Sequence, residues 1–137
     1  MGRILAIDFG GKRTGIAVTD ELQIIASGLT TVPTAELLSF LKEYTSKETV
    51  DAIVVGQPKR LNNEFSDIEA EIRLFIHKLK EEIPKMEIER IDERFTSKMA
   101  FQSMIDSGVK KKNRRKKELL DEVSATLILQ SYLHSKK

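Results

Sequence analysis

The fold is decided by the stretch Arg3-Ile4-Leu5-Ala6-Ile7-Asp8-Phe9-Gly10. Four apolar residues in succession, two of them β-branched, predict a short strand that is buried on both faces. The strand ends on Asp8, and a carboxylate at the end of a buried strand is costly unless a partner, a hydrogen-bond network or a metal compensates it. We therefore interpret Asp8 as the first member of an active site.

A glycine-rich turn follows this strand. Its glycines are Gly10, Gly11 and Gly15, and glycine lets the backbone approach a ligand or a neighbouring strand closely. The apolar residues within 15–20 predict a second strand, so the chain begins with a hairpin. Two other interpretations of Asp8 stay open. An Asp before such a turn often stabilises the turn itself. The D-x-G-x-x-x-x-G spacing is also compatible with a phosphate-binding loop of the actin-like class.

The composition limits the class of protein. A chain of 137 residues predicts one domain over residues 1–137. It has no cysteine, which excludes disulfides and thiolate metal sites. Because it has only two histidines, a metal would be held by carboxylates, and carboxylate ligands favour Mg²⁺ or Mn²⁺. No apolar stretch approaches the ~20 residues that span a bilayer. Because the first residues read as a strand, we also expect no secretory signal peptide. We expect a cytoplasmic protein with no membrane partner.

Charge is distributed unevenly along the chain. The run at 110–117 holds seven of the 23 basic residues, which leaves 16 basic residues against 21 acidic ones elsewhere. An acidic body with one dense basic segment indicates a polyanionic partner. Few aromatic residues interrupt the run, so we expect contacts to a nucleic-acid backbone rather than base stacking.

The remaining periodicity predicts alternating strands and helices. Strands are expected at 24–32, with a bulge near Gly28, at 50–56 and at 86–91, and a loop is expected at 59–64. Four helices are expected. The first begins at Ala35, the second follows a cap at Ser66 or Asp67, the third covers about 96–105, and the fourth covers 117–135. The order β-β-β-α-β-α-β-α-α predicts an α/β fold. Three antiparallel strands and then parallel strands would form a five-stranded mixed sheet with helices on both faces.

Three acids are expected to meet at one edge of this sheet. Ligands of open sheets bind beyond the carboxyl ends of the parallel strands, where Asp8 and the pair Asp92 and Glu93 fall. Asp121 shares a helical face with apolar residues four and seven positions on, so it should face the body of the protein. Such an arrangement suits two-metal phosphodiester hydrolysis. Asp92 and Glu93 alternate, so their side chains should face opposite sides of the sheet, and only one of them can join Asp8. Asp20 is predicted to be a turn residue at the opposite edge, and His77 a surface residue.

Four short motifs occur in order along nearly the full chain. They are Asp8-x-Gly10-x-x-Arg13-x-Gly15-x-Ala17-x-x-Asp20, then Val55-Gly56-Gln57-Pro58, then Asp92-Glu93-Arg94-Phe95-Thr96-Ser97 with Ala100, and Asp121 with Ala125, Ile128, Leu129, Tyr132 and Leu133. Together they resemble the motifs of the YqgF (RuvX) family, within the ribonuclease H-like superfamily. Three positions depart from the pattern, namely Gln57, Asn63 and Ser124, and they bear on the loop after the fourth strand and the packing of the last helix.

The resemblance implies a metal-dependent nuclease with Asp8, Glu93 and Asp121 as catalytic acids and Mg²⁺ or Mn²⁺ ligands. The family is described both as the nuclease that matures the 5′ end of the 16S ribosomal RNA precursor and as a Holliday-junction resolvase. The first substrate, structured RNA, is our prediction, with the protein a monomer or a homodimer. Branched DNA, a non-cleaving nucleic-acid-binding protein and an actin-like nucleotide binder are the alternatives. Substrate contacts are expected from Lys12, Arg13, Arg94, Lys111, Lys112, Arg114 and Arg115.

Overall fold

The computed structural model describes residues 2–57, 68–92 and 116–135. Its strands are β1 (Arg3–Asp8), β2 (Arg13–Thr19), β3 (Ala26–Pro33), β4 (Val50–Gln57) and β5 (Glu87–Asp92), and its helices are α1 (Leu37–Lys47), α2 (Glu69–Glu82) and α3 (Lys116–Ser135). A 3-10 turn over Thr34–Glu36 precedes α1. The predicted loop at 59–64, the caps Ser66 and Asp67, the helix at 96–105 and nearly all of the basic run lie outside the described residues.

The five strands form one mixed sheet in the order β3-β2-β1-β4-β5. β2 pairs antiparallel with both β1 and β3, whereas β1, β4 and β5 run parallel to one another. This confirms the predicted five-stranded mixed sheet. The carboxyl ends of β1, β4 and β5 therefore lie along one side, which we call the carboxyl edge.

Alternate residues of β1 supply two separate cores. On the α3 face, the cluster contains Ile4, Ala6, Ala17 and Val54 from the sheet and Ala125, Ile128, Leu129 and Tyr132 from α3. On the α1/α2 face, it contains Leu5, Ile7, Ile16, Ile53 and Val55 from the sheet and Leu37, Leu41, Ile72, Phe75 and Leu79 from the helices. Because β1 is central and covered on both faces, its sequence is apolar throughout rather than alternating.

Local features of the sheet also follow from the sequence. The β2–β3 register shifts between Ile16, which lies opposite Thr30, and Ala17, which lies opposite Gly28. The extra residue on β3 is the bulge that Gly28 predicts. β5 is an edge strand, as its alternating pattern indicates. Within residues 2–57, 68–92 and 116–135, the helices lack the combination of length and hydropathy that crossing a bilayer would need.

Candidate active site

The site is built on the last residue of β1. Asp8 is half-buried and lies directly opposite Gly15 in the β1–β2 ladder. Since Ile4 and Ala6 pack on the α3 face, the two-residue period of a strand places Asp8 on that face as well. The carboxylate therefore lies at the carboxyl edge, on the side that α3 covers.

Gly15 brings the second acid to the same place. The backbone of Asp121 passes so close over Gly15 that an added Cβ would overlap the Asp121 carbonyl oxygen. Residues directly opposite each other in an antiparallel ladder have Cα atoms about 4.5–5.5 Å apart, so Asp8 and Asp121 both border Gly15. Glycine is required at position 15 because any side chain would push α3 away from the sheet.

Arg13 holds the carboxylate of Asp121. Arg13 Nε donates to Asp121 Oδ2 at 3.0 Å, and the two side chains are 37% and 23% exposed. At that exposure the ion pair contributes little to stability, but a charge-assisted hydrogen bond orients a carboxylate well. The predicted inward orientation of Asp121 is confirmed, and Ala125 and Ile128 on the same face of α3 are fully buried.

The turn between β1 and β2 is held by Thr34, a residue with no functional signature in the sequence. Thr34 Oγ1 donates to the carbonyl oxygen of Gly10 and lies 2.9 Å from Thr14 Oγ1. The backbone N–H of Thr34 donates to the carbonyl oxygen of Lys12 at 2.9 Å. These bonds fix the turn that carries Lys12, whose side chain is exposed. No local sequence signal links Thr34 to a turn more than 20 residues earlier.

A second unpredicted feature is an ion-pair network of Glu69, Arg73 and Arg90, which we call the Glu69 network. Arg90 donates to both carboxylate oxygens of Glu69, at 2.7 and 3.0 Å, and to the carbonyl oxygens of Val55 and Gly56. Arg73 Nε donates to Glu69 Oε2 at 2.8 Å. The network joins the start of α2 to the end of β4, beside the carboxyl edge. Only the i,i+4 spacing of Glu69 and Arg73 was visible in the sequence.

Glu69 is ionised in this network although it is nearly buried. Its side chain is only 4% exposed. Burial acts to raise the pKa of Glu69, but the hydrogen bonds from Arg90 and Arg73 outweigh burial and hold the pKa below its usual range. A buried carboxylate that two guanidinium groups neutralise is stable as the charged form.

Asp20 and His77 occupy the positions predicted for them. The Asp20 carboxylate accepts hydrogen bonds from the backbone N–H groups of Leu22, Ile24 and Ile25. Those from Ile25 and Ile24 lower the pKa of Asp20 most. Asp20 is thus a turn residue away from Asp8, as predicted. His77 is a surface residue whose side chain is 73% exposed and lies 3.0 Å from Glu81.

The other predicted site residues lie outside the described part of the chain. These are Glu93, Arg94, Lys111, Lys112, Arg114 and Arg115. Among the residues that are described, no three acidic or histidine side chains form a cluster that would hold a metal. The structure therefore brings together Asp8, Asp121 and Arg13, and the assignment of the third acid to Glu93 stays a prediction.

The fold defines the class of protein. The solved structure of T. thermophilus RuvC in complex with a Holliday junction substrate matches with a TM-score of 0.58 at 17% identity, over 100% of this chain and 98% of the RuvC chain. A second Thermus thermophilus RuvC structure gives a TM-score of 0.55 at 15% identity, over 98% of this chain and 96% of that chain. The fold is ribonuclease H-like.

The sequence narrows this class to one family. The profile of the RuvX family, described as "Holliday junction resolvase", matches residues 2–135, and the chain belongs to that family. A protein of Phocaeicola vulgatus named "Putative pre-16S rRNA nuclease" is 58% identical over 100% of this chain and 99% of its own length. A protein of Flavobacterium johnsoniae with the same name is 57% identical over the same shares.

Proposed function

We propose that this protein is a metal-dependent nuclease that hydrolyses phosphodiester bonds in 5′-end maturation of the 16S ribosomal RNA precursor. The observation that carries the proposal is the convergence of Asp8 and Asp121 on Gly15 at the carboxyl edge. Relatives at 57–58% identity that are named for the pre-16S rRNA support this substrate. A cytoplasmic location follows from the substrate.

The chemistry of the donor set fits Mg²⁺ or Mn²⁺. Hard divalent cations prefer carboxylate oxygens, and Asp8 and Asp121 present two carboxylates to one edge of the sheet. A pair of bound ions would supply an activated water and stabilise the leaving oxygen. We assign the third carboxylate to Glu93. Support comes from β5, where Glu89 accepts a hydrogen bond from the Tyr132 hydroxyl and Ile91 packs against the α3 cluster. Odd-numbered residues of β5 therefore lie on the α3 face, the face on which Asp8 lies.

The basic residues hold and orient the substrate in this proposal. Arg13 orients the Asp121 carboxylate through its Nε and leaves its terminal guanidinium nitrogens for a phosphate oxygen. Lys12 is exposed in the neighbouring turn. Arg94 and the basic run would extend this positive surface along the substrate. The run leads into α3, with Lys116 and Lys117 as the first residues of that helix, and α3 brings Asp121 to the site.

The decisive experiment is cleavage of labelled 16S precursor RNA and of a four-way DNA junction side by side. Each substrate is incubated with Mg²⁺, with Mn²⁺ and with EDTA. We expect correct 5′ cleavage of the RNA with either metal and none with EDTA. Selective cleavage of the junction would favour the resolvase alternative, which the RuvX description supports. Binding without any cleavage would identify a non-cleaving nucleic-acid-binding protein.

We predict that Mg²⁺ or Mn²⁺ will raise the melting temperature. A ligand that binds only the folded protein stabilises it by mass action, and saturation at one hundred times Kd gives about 2.7 kcal/mol. The triple variant Asp8→Asn, Glu93→Gln and Asp121→Asn should lose this rise. Differential scanning fluorimetry across a metal titration measures both proteins. An equal rise in the triple variant would locate the ions elsewhere.

We also predict that the basic run contributes phosphate contacts. Neutralising Lys111, Lys112, Arg114 and Arg115 should weaken RNA binding and flatten its salt dependence. Each lost contact reduces the log–log slope by about 0.7 on single strands and about 0.9 on duplex DNA. Turnover at saturating RNA should change much less than affinity, since the carboxylates are untouched. Wild-type affinity and slope in the variant would show that the run makes no such contacts.

A further inference from the structure

A groove lies on the face of the sheet opposite α3. Its volume is about 350 Å³, and it runs between α2 and the 3-10 turn that precedes α1. We call it the phenylalanine groove, because it is lined by Phe9 and Phe75, whose ring centroids are 5.5 Å apart with planes inclined at 41°. Its other lining residues are Thr34, Ala35, Leu38, Glu71, Leu74 and Lys78.

The α2 wall of the groove combines one exposed apolar side chain with two charges. Glu71, Leu74, Phe75 and Lys78 have the i, i+3, i+4, i+7 spacing of a single helical face. Leu74 is 65% exposed. The described residues have four other exposed large apolar side chains, and all lie between the end of β2 and the middle of β3, at Leu22, Ile24, Ile25 and Leu29. A single exposed leucine is ordinary. Here, however, it lies on the same helical face as Phe75 and lines the groove.

The groove and the candidate active site lie on opposite faces of the sheet, next to the same turn. Phe9 follows Asp8 directly, and consecutive Cα atoms are 3.8 Å apart. Thr34 lines the groove and also holds Gly10 of the same turn through its hydroxyl. A strand whose phosphate lies at Asp8 on the α3 face would therefore need to extend only around the carboxyl edge to reach the groove.

We propose that the phenylalanine groove binds one unstacked nucleobase of the substrate strand. The inference rests on the proposed nuclease function, because it takes the strand to be the one positioned at Asp8. A base fits the lining, since every base has an apolar π-face that packs on aromatic and aliphatic side chains whatever its identity. The half-buried Phe9 and the exposed Leu74 offer that surface, whereas Phe75, 9% exposed, supports the groove from the core. Lys78 at the rim suits the adjoining phosphate, and the Glu71 carboxylate suits an exocyclic amino group. Single-stranded RNA offers such splayed bases, whereas a continuous duplex does not.

The test is a binding experiment that needs no cleavage. Fluorescence anisotropy in EDTA compares a labelled decamer of adenylate with a ribose-phosphate decamer that lacks bases. Leu74→Ser is the test variant, and Leu22→Ser is its matched control, because the two leucines are 65% and 64% exposed. Both changes are neutral in charge, so neither should alter the salt dependence that phosphate contacts set.

We expect the wild type to bind the adenylate decamer at least about fivefold more tightly than the abasic decamer, as base stacking on a protein typically gives. Leu74→Ser should remove most of this preference without changing affinity for the abasic decamer, and Leu22→Ser should match the wild type. The inference would be overturned if Leu74→Ser kept the full preference for the adenylate decamer, or if the wild type showed no such preference. A protein segment would then be the next occupant of the phenylalanine groove to test. A wild type that binds neither decamer at low salt would also overturn the inference. A base preference in a protein that cleaves nothing would instead contradict the nuclease function alone.

Discussion

Asp8→Asn will lower the cleavage rate by about a thousandfold or more, in a protein that stays folded. The amide keeps the shape of the side chain but loses the negative charge that a divalent cation needs, and a bound cation contributes several kcal/mol to the transition state. Each 1.36 kcal/mol corresponds to a factor of ten in rate. Single-turnover cleavage of the labelled precursor RNA measures the effect, with circular dichroism as the check on folding.

Asp20→Asn is the matched control for this substitution. Asp20 sits in the turn after β2, where its carboxylate accepts hydrogen bonds from three backbone N–H groups. Asparagine retains a side-chain oxygen for such a turn. The Asp20→Asn protein should therefore cleave at close to the wild-type rate. If Asp8→Asn were folded and fully active, the acids would have to be assigned to a different site.

The fold could be predicted because its strongest signals are local. The β1 stretch is apolar on both faces, and the structure places it at the centre of the sheet with a core on each side. Ile72, Phe75 and Leu79 recur at helical spacing, and this is the face of α2 that is buried. Gly28 predicted the bulge in β3. Each of these features depends on the period of a single element.

The candidate site could be predicted only in part, because its contacts join distant parts of the chain. Helical spacing indicated that Asp121 faces inward, but nothing in the sequence indicated that its backbone lies over Gly15. Arg13 was expected to contact substrate, whereas the structure adds its ion pair with Asp121, 108 residues away. The Thr34 hydroxyl and the bond from Arg90 to Glu69 likewise depend on tertiary packing.

The largest stability effect is expected at the Glu69 network. Glu69→Gln keeps the shape of the side chain but leaves Arg90 beside a neutral amide. Breaking a buried ion pair costs about 3–5 kcal/mol. Since the Arg73 and Arg90 side chains are 60% and 23% exposed and regain some hydration, we expect about 2 kcal/mol here. For a chain of this length the melting temperature should fall by roughly 6–10 °C.

Glu81→Gln is the control on the same helix. The Glu81 side chain is 66% exposed and pairs only with His77 among the contacts described, so its loss should change stability by less than about 0.5 kcal/mol. Urea unfolding of the three proteins at pH 7 gives the comparison. Equal stability of Glu69→Gln and the wild type would mean that the network does not hold α2 to the end of β4.

The pH dependence identifies the charge of Glu69 as the source of the effect. The pKa of Glu69 is lowered in the folded protein from its usual value of 4.5, so the ionised form is favoured by folding. The contribution of the ionised Glu69 carboxylate to the free energy of unfolding is complete when the pH is above that usual pKa. It is lost as the pH falls through the lower pKa of the folded state. The stability difference between wild type and Glu69→Gln should therefore be full at pH 7 and shrink progressively below about pH 4.5. A difference that stays constant into the acid range would assign the loss to packing rather than to the ion pairs with Arg90 and Arg73.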